Sequence, residues 1–298
     1  MSAAAAAAAG GVFKAACVQT RTDREFAPNI RAVGDLVRRA RDQGADFIAT
    51  PEVVGMLEPK KALHLEKAKG EADNPVLAAF RDWARETGAW ILAGSLAIKL
   101  DESTLANRSF LIDPSGDIAA RYDKMHMFDV DLANGERYRE SSLYRPGEET
   151  VMAALPWGLL GMTICYDMRF PYLYRTLAQA GADFLTVPSA FTVPTGRAHW
   201  HVLLRSRAIE TGCYVIAPAQ VGEHAEGRRS YGHSLIISPW GEVLADAGGE
   251  ETGVVVAEID PAKVAEARRM VPSLGHDRPV AAPAVPPRTA ASSREAAE

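Results

Sequence analysis

The segment VRRARDQGADFIATPE (residues 37–52) is echoed later in the chain by YRTLAQAGADFLTVPS (residues 174–189). Each copy has a helical pattern, a Gly-Ala-Asp turn, a short apolar run that is typical of a buried strand, and then a proline. Helices that alternate with buried strands are typical of layered α/β folds. We therefore expect two α/β units of similar design within this one chain.

Two further likenesses follow in the same order. WILAGSLAI (90–98) resembles YVIAPAQVG (214–222), and NRSFLIDPSGDIAARYDK (107–124) resembles GHSLIISPWGEVLADAG (232–248). Three ordered matches predict two similar halves that pack sheet against sheet, with helices covering each sheet. The predicted fold class is therefore α/β, a four-layer αββα sandwich. The alternative is a chance likeness between generic α/β segments.

The composition excludes several classes of protein. Of the 298 residues, 47% are hydrophobic and 24% are charged, which is not the composition of a disordered chain. The 33 Lys and Arg against 38 Asp and Glu give a net charge of −5, without the basic excess of a nucleic-acid-binding protein. Because no apolar run approaches the roughly 20 residues of a membrane span, we expect neither nucleic acid nor membrane as a partner.

Both ends of the chain differ from the rest. Residues 1–11 are an Ala/Gly run without Lys or Arg, and residues 280–298 are rich in Pro, Ala and Ser. We expect disordered tails at 1–11 and 280–298 around one domain at 12–279. The first run lacks the positive charge of a secretory signal and the arginines of a mitochondrial transit peptide, so a cytoplasmic location is predicted.

The three cysteines stand in different surroundings. Their odd number and the lack of CxxC spacing predict neither a disulfide framework nor a thiolate metal site, and we expect no metal or cofactor. Cys17 and Cys213 lie among apolar residues of predicted strands, where a structural role is expected. Cys165 ends the predicted strand 159–164 at a turn, and polar residues follow it. Backbone N–H groups at such a turn favour a thiolate and a developing oxyanion, which makes Cys165 a candidate nucleophile.

Two other predicted strands end in charged residues. Glu52 follows the apolar run FIAT, and Lys124 follows the strand predicted at 118–122. Alone, Glu52 could be a surface acid and Lys124 an ordinary exposed lysine. A thiol nucleophile needs a base, however, and its intermediate needs a cation or a hydrogen-bond donor. Because functional groups gather where strands end, we expect Glu52, Lys124 and Cys165 to lie together.

Two alternatives remain at this point. The first is a Cys–His hydrolase, for which the candidate histidines are His126, His199, His201 and His233. His199 and His201 are two residues apart on a predicted helix and therefore point to different faces. HExxH, GxSxG and Walker motifs are absent. The second alternative is a binding module without activity, since a fold alone does not prove a function.

Several segments resemble the nitrilase superfamily of carbon–nitrogen hydrolases, over about residues 12–279. The resemblance implies an amidase that hydrolyses a small carboxylic-acid amide to an acid and ammonia, and favours amides over nitriles. It also implies a homodimer that packs through outer helices, and the predicted helices 171–180 and 198–211 carry more Tyr, Leu and Trp than one buried face needs. The segments are PEVVG (51–55), YDKMHMFDV (122–130), GLLGMTICYDMRFPYLYR (158–175), PSAFTVPTGRAHWHVLLRSRAIETGCYVIAPAQ (188–220) and YGHSLIISPWGEVLADAG (231–248).

The resemblance also implies roles for individual residues. Cys165 corresponds to the nucleophile that forms a thioester, and Glu52 to the general base. Lys124, with the backbone N–H of Tyr166, corresponds to the oxyanion-binding group. Glu140, in RYRESSLYRPGEE (137–149), corresponds to a second glutamate that orients Lys124 and the substrate amide, with the nearby Glu136 as the alternative.

Candidate substrate-binding residues come from the same segments. Phe191 and Thr192 leave a predicted strand end beside the presumed pocket. Arg169 can contact a substrate carboxylate or pair with Asp167 or another acid of the framework. The full set of predicted substrate-binding residues is Phe191, Thr192, Thr195 and Arg169.

Overall fold

The computed structural model describes residues 10–132 and 135–284. Most of the two predicted tails, residues 1–9 and 285–298, therefore lies outside the described residues, and the domain limits stay a prediction. None of the helices in the described ranges has the length and apolar character needed to cross a membrane.

Sixteen strands are described within these ranges. In chain order they are β1 (Phe13–Gln19), β2 (Phe47–Ala49), β3 (Trp90–Lys99), β4 (Leu105–Ile112), β5 (Ile118–Asp123), β6 (Asp129–Asp131), β7 (Arg137–Arg139), β8 (Val151–Leu155), β9 (Gly158–Met162), β10 (Phe184–Thr186), β11 (Tyr214–Ala217), β12 (Val221–Glu223), β13 (Arg229–Tyr231), β14 (Leu235–Ile237), β15 (Val243–Asp246) and β16 (Gly253–Ile259).

Six α-helices accompany the strands in the described ranges. In chain order they are α1 (Phe26–Asp42), α2 (Lys61–Lys67), α3 (Pro75–Thr87), α4 (Pro171–Gln179), α5 (Val193–Thr211) and α6 (Ala262–Met270). Asn74 accepts the N–H groups of Val76 and Leu77 and so caps the start of α3.

The strands form two six-stranded sheets of the same design. The first has the order β16-β1-β2-β3-β4-β5, and the second has the order β15-β14-β11-β10-β9-β8. In each sheet three strands pair in parallel, an antiparallel hairpin follows on one side, and one antiparallel strand borders the other side. The predicted similarity of the two halves is confirmed, since β2 and β10 hold equivalent places.

The sheets pack face to face with helices on the outside. Phe13 of β1 and Phe184 of β10 meet edge to face, with ring centroids 5.4 Å apart, in the apolar core between the sheets. Apolar residues of α1 and α3, among them Trp83, pack on the outer face of the first sheet. Those of α4 and α5, among them Trp200, pack on the second. The predicted four-layer αββα sandwich is confirmed.

Several predicted boundaries differ from the observed ones. Helix α5 begins at Val193 instead of residue 198, because Pro194 fits the first turn, where a helix needs no N–H. The apolar runs in the repeated segments predict strands at 182–188 and 214–220, and the observed strands β10 and β11 are shorter. Helix α2, strand β8 and the hairpins β6–β7 and β12–β13 were not predicted. These hairpins are short and largely polar, so they have little of the apolar alternation that marks a half-buried strand.

The apolar side chains of α4 and α5 are mostly used within the subunit. Trp200, Leu204 and Tyr174 are fully buried, so they are not the surplus apolar surface that the sequence suggested. The exposed apolar residues of these two helices are Tyr172, Val202 and Ile209.

Candidate functional site

A cavity of about 280 Å³ lies where strands of both sheets end. Glu52 follows β2, Lys124 follows β5, Cys165 follows β9 and Ala190 follows β10, and all four line it. The structure thus brings together the three residues predicted to share a site. The hairpin β6–β7 and residues next to the hairpin β12–β13 contribute to the outer part of the cavity wall.

A bulge in β3 fixes the turn that carries Glu52. The pairing of β3 with β4 shifts register between Ala93 and Leu96, which frees Ser95 to bond with this turn. The Ser95 carbonyl accepts the Val54 N–H at 3.1 Å, and the Ser95 hydroxyl accepts the Val53 N–H at 2.9 Å. Val53 has φ 49°, a conformation that a β-branched residue rarely adopts unless its surroundings impose it. The bulge therefore sets the direction in which the Glu52 side chain points.

Both carboxylate oxygens of Glu52 accept hydrogen bonds although the residue is buried. Its Oε1 accepts from Lys124 Nζ at 2.8 Å and from Asn107 Nδ2 at 3.0 Å, and its Oε2 accepts the Ala190 N–H at 2.8 Å. Burial alone would raise the pKa of Glu52, but the charge of Lys124 and these hydrogen bonds outweigh it and hold the pKa below its usual range. Glu52 is therefore an ionised carboxylate at neutral pH.

Lys124 lies between two glutamates. Its Nζ also donates to Glu140 Oε1 and Oε2, at 3.0 and 2.8 Å. Burial disfavours the ammonium, but the carboxylates of Glu140 and Glu52 raise the pKa of Lys124 well above its usual value. Lys124 is therefore a fixed cation that faces the cavity.

Glu140, and not Glu136, is the second glutamate of this cluster. Glu140 opens a 3₁₀ turn, Glu140–Ser142, and its Oε2 also accepts the Phe128 N–H at 2.7 Å. Glu136 is exposed, accepts from the Tyr138 hydroxyl at 2.8 Å and does not line the cavity. The structure therefore places Glu140, of the two candidates, beside Lys124.

Cys165 occupies the first position of a 3₁₀ turn, Cys165–Arg169, with φ 46°. Its N–H donates to the Pro188 carbonyl at 3.0 Å. Asp167 holds the turn, since its Oδ2 accepts the Ile164 N–H at 2.9 Å and the Tyr122 hydroxyl at 2.7 Å. A left-handed conformation at a residue other than glycine costs about 1–3 kcal/mol and persists only where the surroundings impose it.

The sequence predicted that this turn favours a thiolate, and the structure corrects that expectation. Burial and the adjacent carboxylate of Glu52 raise the pKa of the Cys165 thiol above its usual value, although Lys124 opposes the shift. Cys165 is therefore a thiol in this site, and a reaction at its sulfur would need a base to take the proton. Glu52 is the ionised carboxylate next to it.

The other two cysteines lie outside the cavity. Cys17 is buried in β1 with its Sγ 3.5 Å from the Leu235 carbonyl oxygen, and Cys213 is buried with its Sγ 3.1 Å from the Ala182 carbonyl oxygen. Burial raises the pKa of both thiols. Neither lines the cavity, in agreement with a structural role.

Three of the four predicted substrate-binding residues line the cavity. They are Phe191, Thr192 and Thr195, and the hydroxyl oxygens of the two threonines lie 2.7 Å apart. Arg169 does not line it. Its guanidinium lies over the rings of Tyr166 and Phe191, 5.8 and 5.5 Å from their centroids. Arg169 therefore supports an aromatic wall, and no ion pair joins it to Asp167.

Asn107 is a site residue that the sequence reasoning missed. Its Nδ2 donates to Glu52 Oε1 and to Glu140 Oε1, both at 3.0 Å, so one amide group joins the two glutamates. A signal was present, since Asn107 is a polar residue on a buried strand, and a buried polar group needs a partner. Tyr138 and Arg228 also line the cavity, and no motif marked them.

The histidines proposed for a Cys–His hydrolase lie elsewhere. His126 Nδ1 is 2.7 Å from Asp167 Oδ1, outside the cavity. His64 lines the cavity, but its Nδ1 contacts the Glu58 carbonyl oxygen at 3.0 Å and its Nε2 contacts the Tyr144 hydroxyl at 3.1 Å. Burial lowers the pKa of His64 to about 4.

One cluster of potential metal ligands lies away from the cavity. His201 Nε2 is 3.1 Å from Asp246 Oδ2, and His233 Nδ1 is 2.9 Å from Asp246 Oδ1. The ligand atoms of these three side chains lie within 4.8 Å of one another, so they could hold a metal ion. None of the three lines the cavity that contains Cys165.

Comparisons with known proteins agree with this geometry. A sequence model of the carbon–nitrogen hydrolase family matches residues 14–269. A deaminated glutathione amidase of Synechocystis is 41% identical over 270 residues, which cover 89% of this chain and 97% of that protein. The human deaminated glutathione amidase is 40% identical over 258 residues, 84% of this chain and 78% of that protein. The crystal structure of the Caenorhabditis elegans NitFhit protein superposes with a TM-score of 0.84 at 36% identity, over 91% of this chain and 66% of that longer chain.

Proposed function

The chain belongs to the carbon–nitrogen hydrolase family, and we propose that it is an amidase that forms a thioester on Cys165. One observation carries the proposal: a buried thiol faces an ionised glutamate, and a lysine ammonium donates to that glutamate at 2.8 Å in the same cavity. A nucleophile, a base and a cation for the oxyanion are the groups that acyl transfer through cysteine needs.

In the first half-reaction, Cys165 Sγ attacks the amide carbon while its proton passes to the Glu52 carboxylate. The amide oxygen becomes an oxyanion, which the Lys124 ammonium and the Tyr166 N–H stabilise. The protonated Glu52 then gives its proton to the amine nitrogen as the carbon–nitrogen bond breaks. The amine departs, and a thioester remains on Cys165.

In the second half-reaction, Glu52 takes a proton from a water molecule that attacks the thioester carbon. The same cation and N–H stabilise the second oxyanion. When the carbon–sulfur bond breaks, the carboxylic acid is released and the proton returns to the sulfur. Glu140 keeps the Lys124 ammonium in position during both steps.

Deaminated glutathione is the substrate that we propose, because two relatives with that activity in their names are about 40% identical over most of this chain. It is the alpha-ketoglutaryl amide of cysteinylglycine. Its hydrolysis therefore yields alpha-ketoglutarate and cysteinylglycine, and ammonia would be released only from a primary amide. The alternative is an omega-amidase that acts on alpha-ketoglutaramate, whose leaving group is ammonia.

Both substrates yield alpha-ketoglutarate, so one assay of that product compares them directly. We expect a higher kcat/KM for deaminated glutathione than for alpha-ketoglutaramate, and little activity on glutamine or simple nitriles. Cys165→Ala should abolish hydrolysis of both, whereas Cys213→Ala should lose at most some stability. Equal or reversed preference would assign the chain to the omega-amidases or to a broader aliphatic amidase.

An inactive binding module is the alternative of a different class. Intact-mass measurement separates it from an enzyme, because acylation adds the mass of the acyl group to Cys165. Wild-type protein that neither turns over nor gains this mass with either substrate would support the binding module.

Assembly and location also belong to this proposal. We propose a homodimer that packs through four exposed apolar residues, Val202 and Ile209 of α5 together with Trp240 and Met270, of which the last two line one surface depression. Exposed apolar surface of this kind usually marks an interface. The cytoplasmic location predicted from the sequence stays a prediction.

A further inference from the structure

The cations that line the cavity differ in how their charge is balanced. Lys124 is held by two glutamates. Arg137 and Arg139 both pair with Asp131, with N–O distances of 3.5 and 2.8 Å. Asp131 balances one of these two arginine charges, and both arginine side chains are exposed to solvent.

Arg228 stands apart from these three. No carboxylate of residues 10–132 or 135–284 forms an ion pair with its guanidinium, which instead lies over the Tyr138 ring, 5.7 Å from the centroid. Lys61, the remaining cation of the wall, is exposed and donates to the Ser142 carbonyl oxygen. Arg228 is only partly exposed, so less of its charge is screened by water. It is the half-buried cation of this cavity that has room for an anion from outside the protein.

The backbone around Arg228 is tied to the catalytic cluster. Strand β13 begins at the next residue and pairs with the segment that follows β10. Ser230 forms an antiparallel β-bridge with Thr192, and the Tyr231 N–H donates to the Phe191 carbonyl oxygen at 2.9 Å. Two residues before Thr192, the Ala190 N–H donates to Glu52. The position of Arg228 relative to the site is therefore fixed by sheet-like hydrogen bonds.

The charge of Arg228 acts on the interior of the cavity. Burial is the main reason that the pKa of His64 falls to about 4, and the charge of Arg228 lowers it further. Burial likewise raises the pKa of Tyr144, and Arg228 opposes that shift. Both residues line the cavity wall. A carboxylate that entered the cavity would therefore experience the same positive field.

The order of the two half-reactions indicates which end of the substrate meets Arg228. The acyl half stays bonded to Cys165 after the first step, whereas the amine half must leave before water can attack. The amine half therefore needs a path to solvent, and a partly exposed wall residue such as Arg228 can border that path. In an extended conformation, the two residues of cysteinylglycine span about 7 Å, which places their terminal carboxylate well away from the Cys165 sulfur.

We propose that Arg228 binds a carboxylate on the leaving group, so that the enzyme prefers amides whose amine half is an anionic peptide. This inference rests on the proposed amidase function and names the half of the substrate that determines specificity. It also explains how deaminated glutathione would be preferred over alpha-ketoglutaramate, because the two share the acyl half and only the former carries a carboxylate on the amine half.

The test is a cycle in which the enzyme and the substrate each lose one charge. Wild type, Arg228→Gln and Arg228→Lys are assayed with deaminated glutathione, with its glycine carboxamide analogue and with alpha-ketoglutaramate, by release of alpha-ketoglutarate. Arg229→Gln is the matched control, since Arg229 is exposed on the same hairpin and does not line the cavity.

We expect Arg228→Gln to lower kcat/KM for deaminated glutathione about 10- to 100-fold, the effect of losing one charge-assisted hydrogen bond. Wild type should lose a similar factor on the carboxamide analogue, on which Arg228→Gln should cost little more. Activity on alpha-ketoglutaramate should change less than about twofold. Arg228→Lys should restore part of the loss, and Arg229→Gln should behave as wild type.

Two outcomes would overturn the inference while the amidase function stands. One is that Arg228→Gln lowers kcat/KM equally for the acid and its carboxamide analogue, and the other is that it lowers neither. Failure of the wild type to release alpha-ketoglutarate from any of the three substrates would instead overturn the proposed function itself.

Discussion

The amide group of Asn107 is the most compact link between the charged residues of the site. It donates to one oxygen of Glu52 and one of Glu140, and its backbone carbonyl accepts the Lys124 N–H at 3.0 Å. Asn107 thereby joins two carboxylates through its side chain and holds the Lys124 backbone through its own carbonyl. Asn107 lies within the repeated segment 107–124. The apolar residues of that segment indicate strands, but their pattern indicates nothing about the role of the asparagine.

At the same scale, the two neighbouring glutamates provide a matched comparison. Glu140→Gln leaves Lys124 with one carboxylate partner and removes a charge-assisted hydrogen bond, so kcat should fall about 10- to 100-fold. Glu136→Gln, on the exposed side of the same segment, should retain near-normal kcat. Steady-state kinetics on both variants, with thermal unfolding as a check of folding, measures the difference. A fully active Glu140→Gln variant would remove Glu140 from the mechanism.

The ionisation states of the site predict an unusual pH profile for a cysteine enzyme. The lowered pKa of Glu52 keeps it ionised at neutral pH, and the raised pKa of Lys124 keeps it charged into the alkaline range. The active form should persist through neutral pH and into the alkaline range, with activity lost only as the pH falls through the lowered pKa of Glu52, below the ordinary glutamate value of about 4.3. The stabilisation that Glu52 gains from Lys124 is lost in the same acidic range.

The measurement is kcat/KM from below the ordinary glutamate pKa of about 4.3 up to the alkaline range, with circular dichroism at each pH to separate loss of activity from unfolding. A histidine base would instead produce an acid limb near pH 6.5, the ordinary pKa of imidazole. An acid limb in that region with the fold intact would therefore favour the Cys–His alternative over Glu52.

At the scale of single elements, the bulge of β3 explains how a strand can position Glu52 on the turn beside it. Gly94 within it approaches the next strand so closely that a Cβ atom there would lie 1.8 Å from the Thr50 carbonyl oxygen. Its N–H donates to the Thr50 hydroxyl at 3.1 Å. The bulge therefore requires glycine at this position.

Gly94→Ala should cost at least about 3 kcal/mol of unfolding free energy, the upper end of the usual cost of overpacking, because the obstructing atom belongs to the backbone. Activity should fall as well, since the turn that carries Glu52 must move. Gly253→Ala is the control, because a Cβ at Gly253 meets no atom within 4 Å. Denaturant unfolding of both variants measures the difference, and equal stability would show that β3 tolerates a side chain in the bulge.

The elements also show what sequence patterns could and could not reveal. The sequence pattern predicts a helix at 75–87 and a strand at 253–259, and these are the limits of α3 and β16, because burial imposes a period on the residues of such elements. Hairpins such as β6–β7 escaped prediction, since three-residue strands with polar, exposed side chains carry no such period. Tyr138 and Arg228 were missed because they depend on these hairpins, whereas Cys165 and Glu52 follow recognisable buried strands.

At the scale of the whole molecule, the exposed apolar face predicts self-association. Val202 and Ile209 are 68% and 55% exposed, and Trp240 and Met270, at 54% and 53%, line a shared surface depression. Light scattering at micromolar concentration should give about twice the subunit mass of 32.1 kDa. Replacing Val202 and Ile209 together by lysine should yield a monomer, because it places two charges in an apolar interface. Val280→Lys is the control, since Val280 is exposed but is not one of these four residues. A wild type that scatters as a monomer would contradict the dimer.

The division of the site between the two halves has a consequence for a chain still being made on the ribosome. Glu52, Asn107 and Lys124 are synthesised before Cys165 and Ala190. Until those two residues are made, Glu52 has neither the Cys165 thiol beside it nor the Ala190 N–H as a hydrogen-bond donor. The first sheet is completed later still, because β1 gains its antiparallel neighbour β16 only when residues 253–259 have emerged. The arrangement around Cys165 described above can therefore be complete only after residues 253–259 have emerged and the two halves have packed on each other.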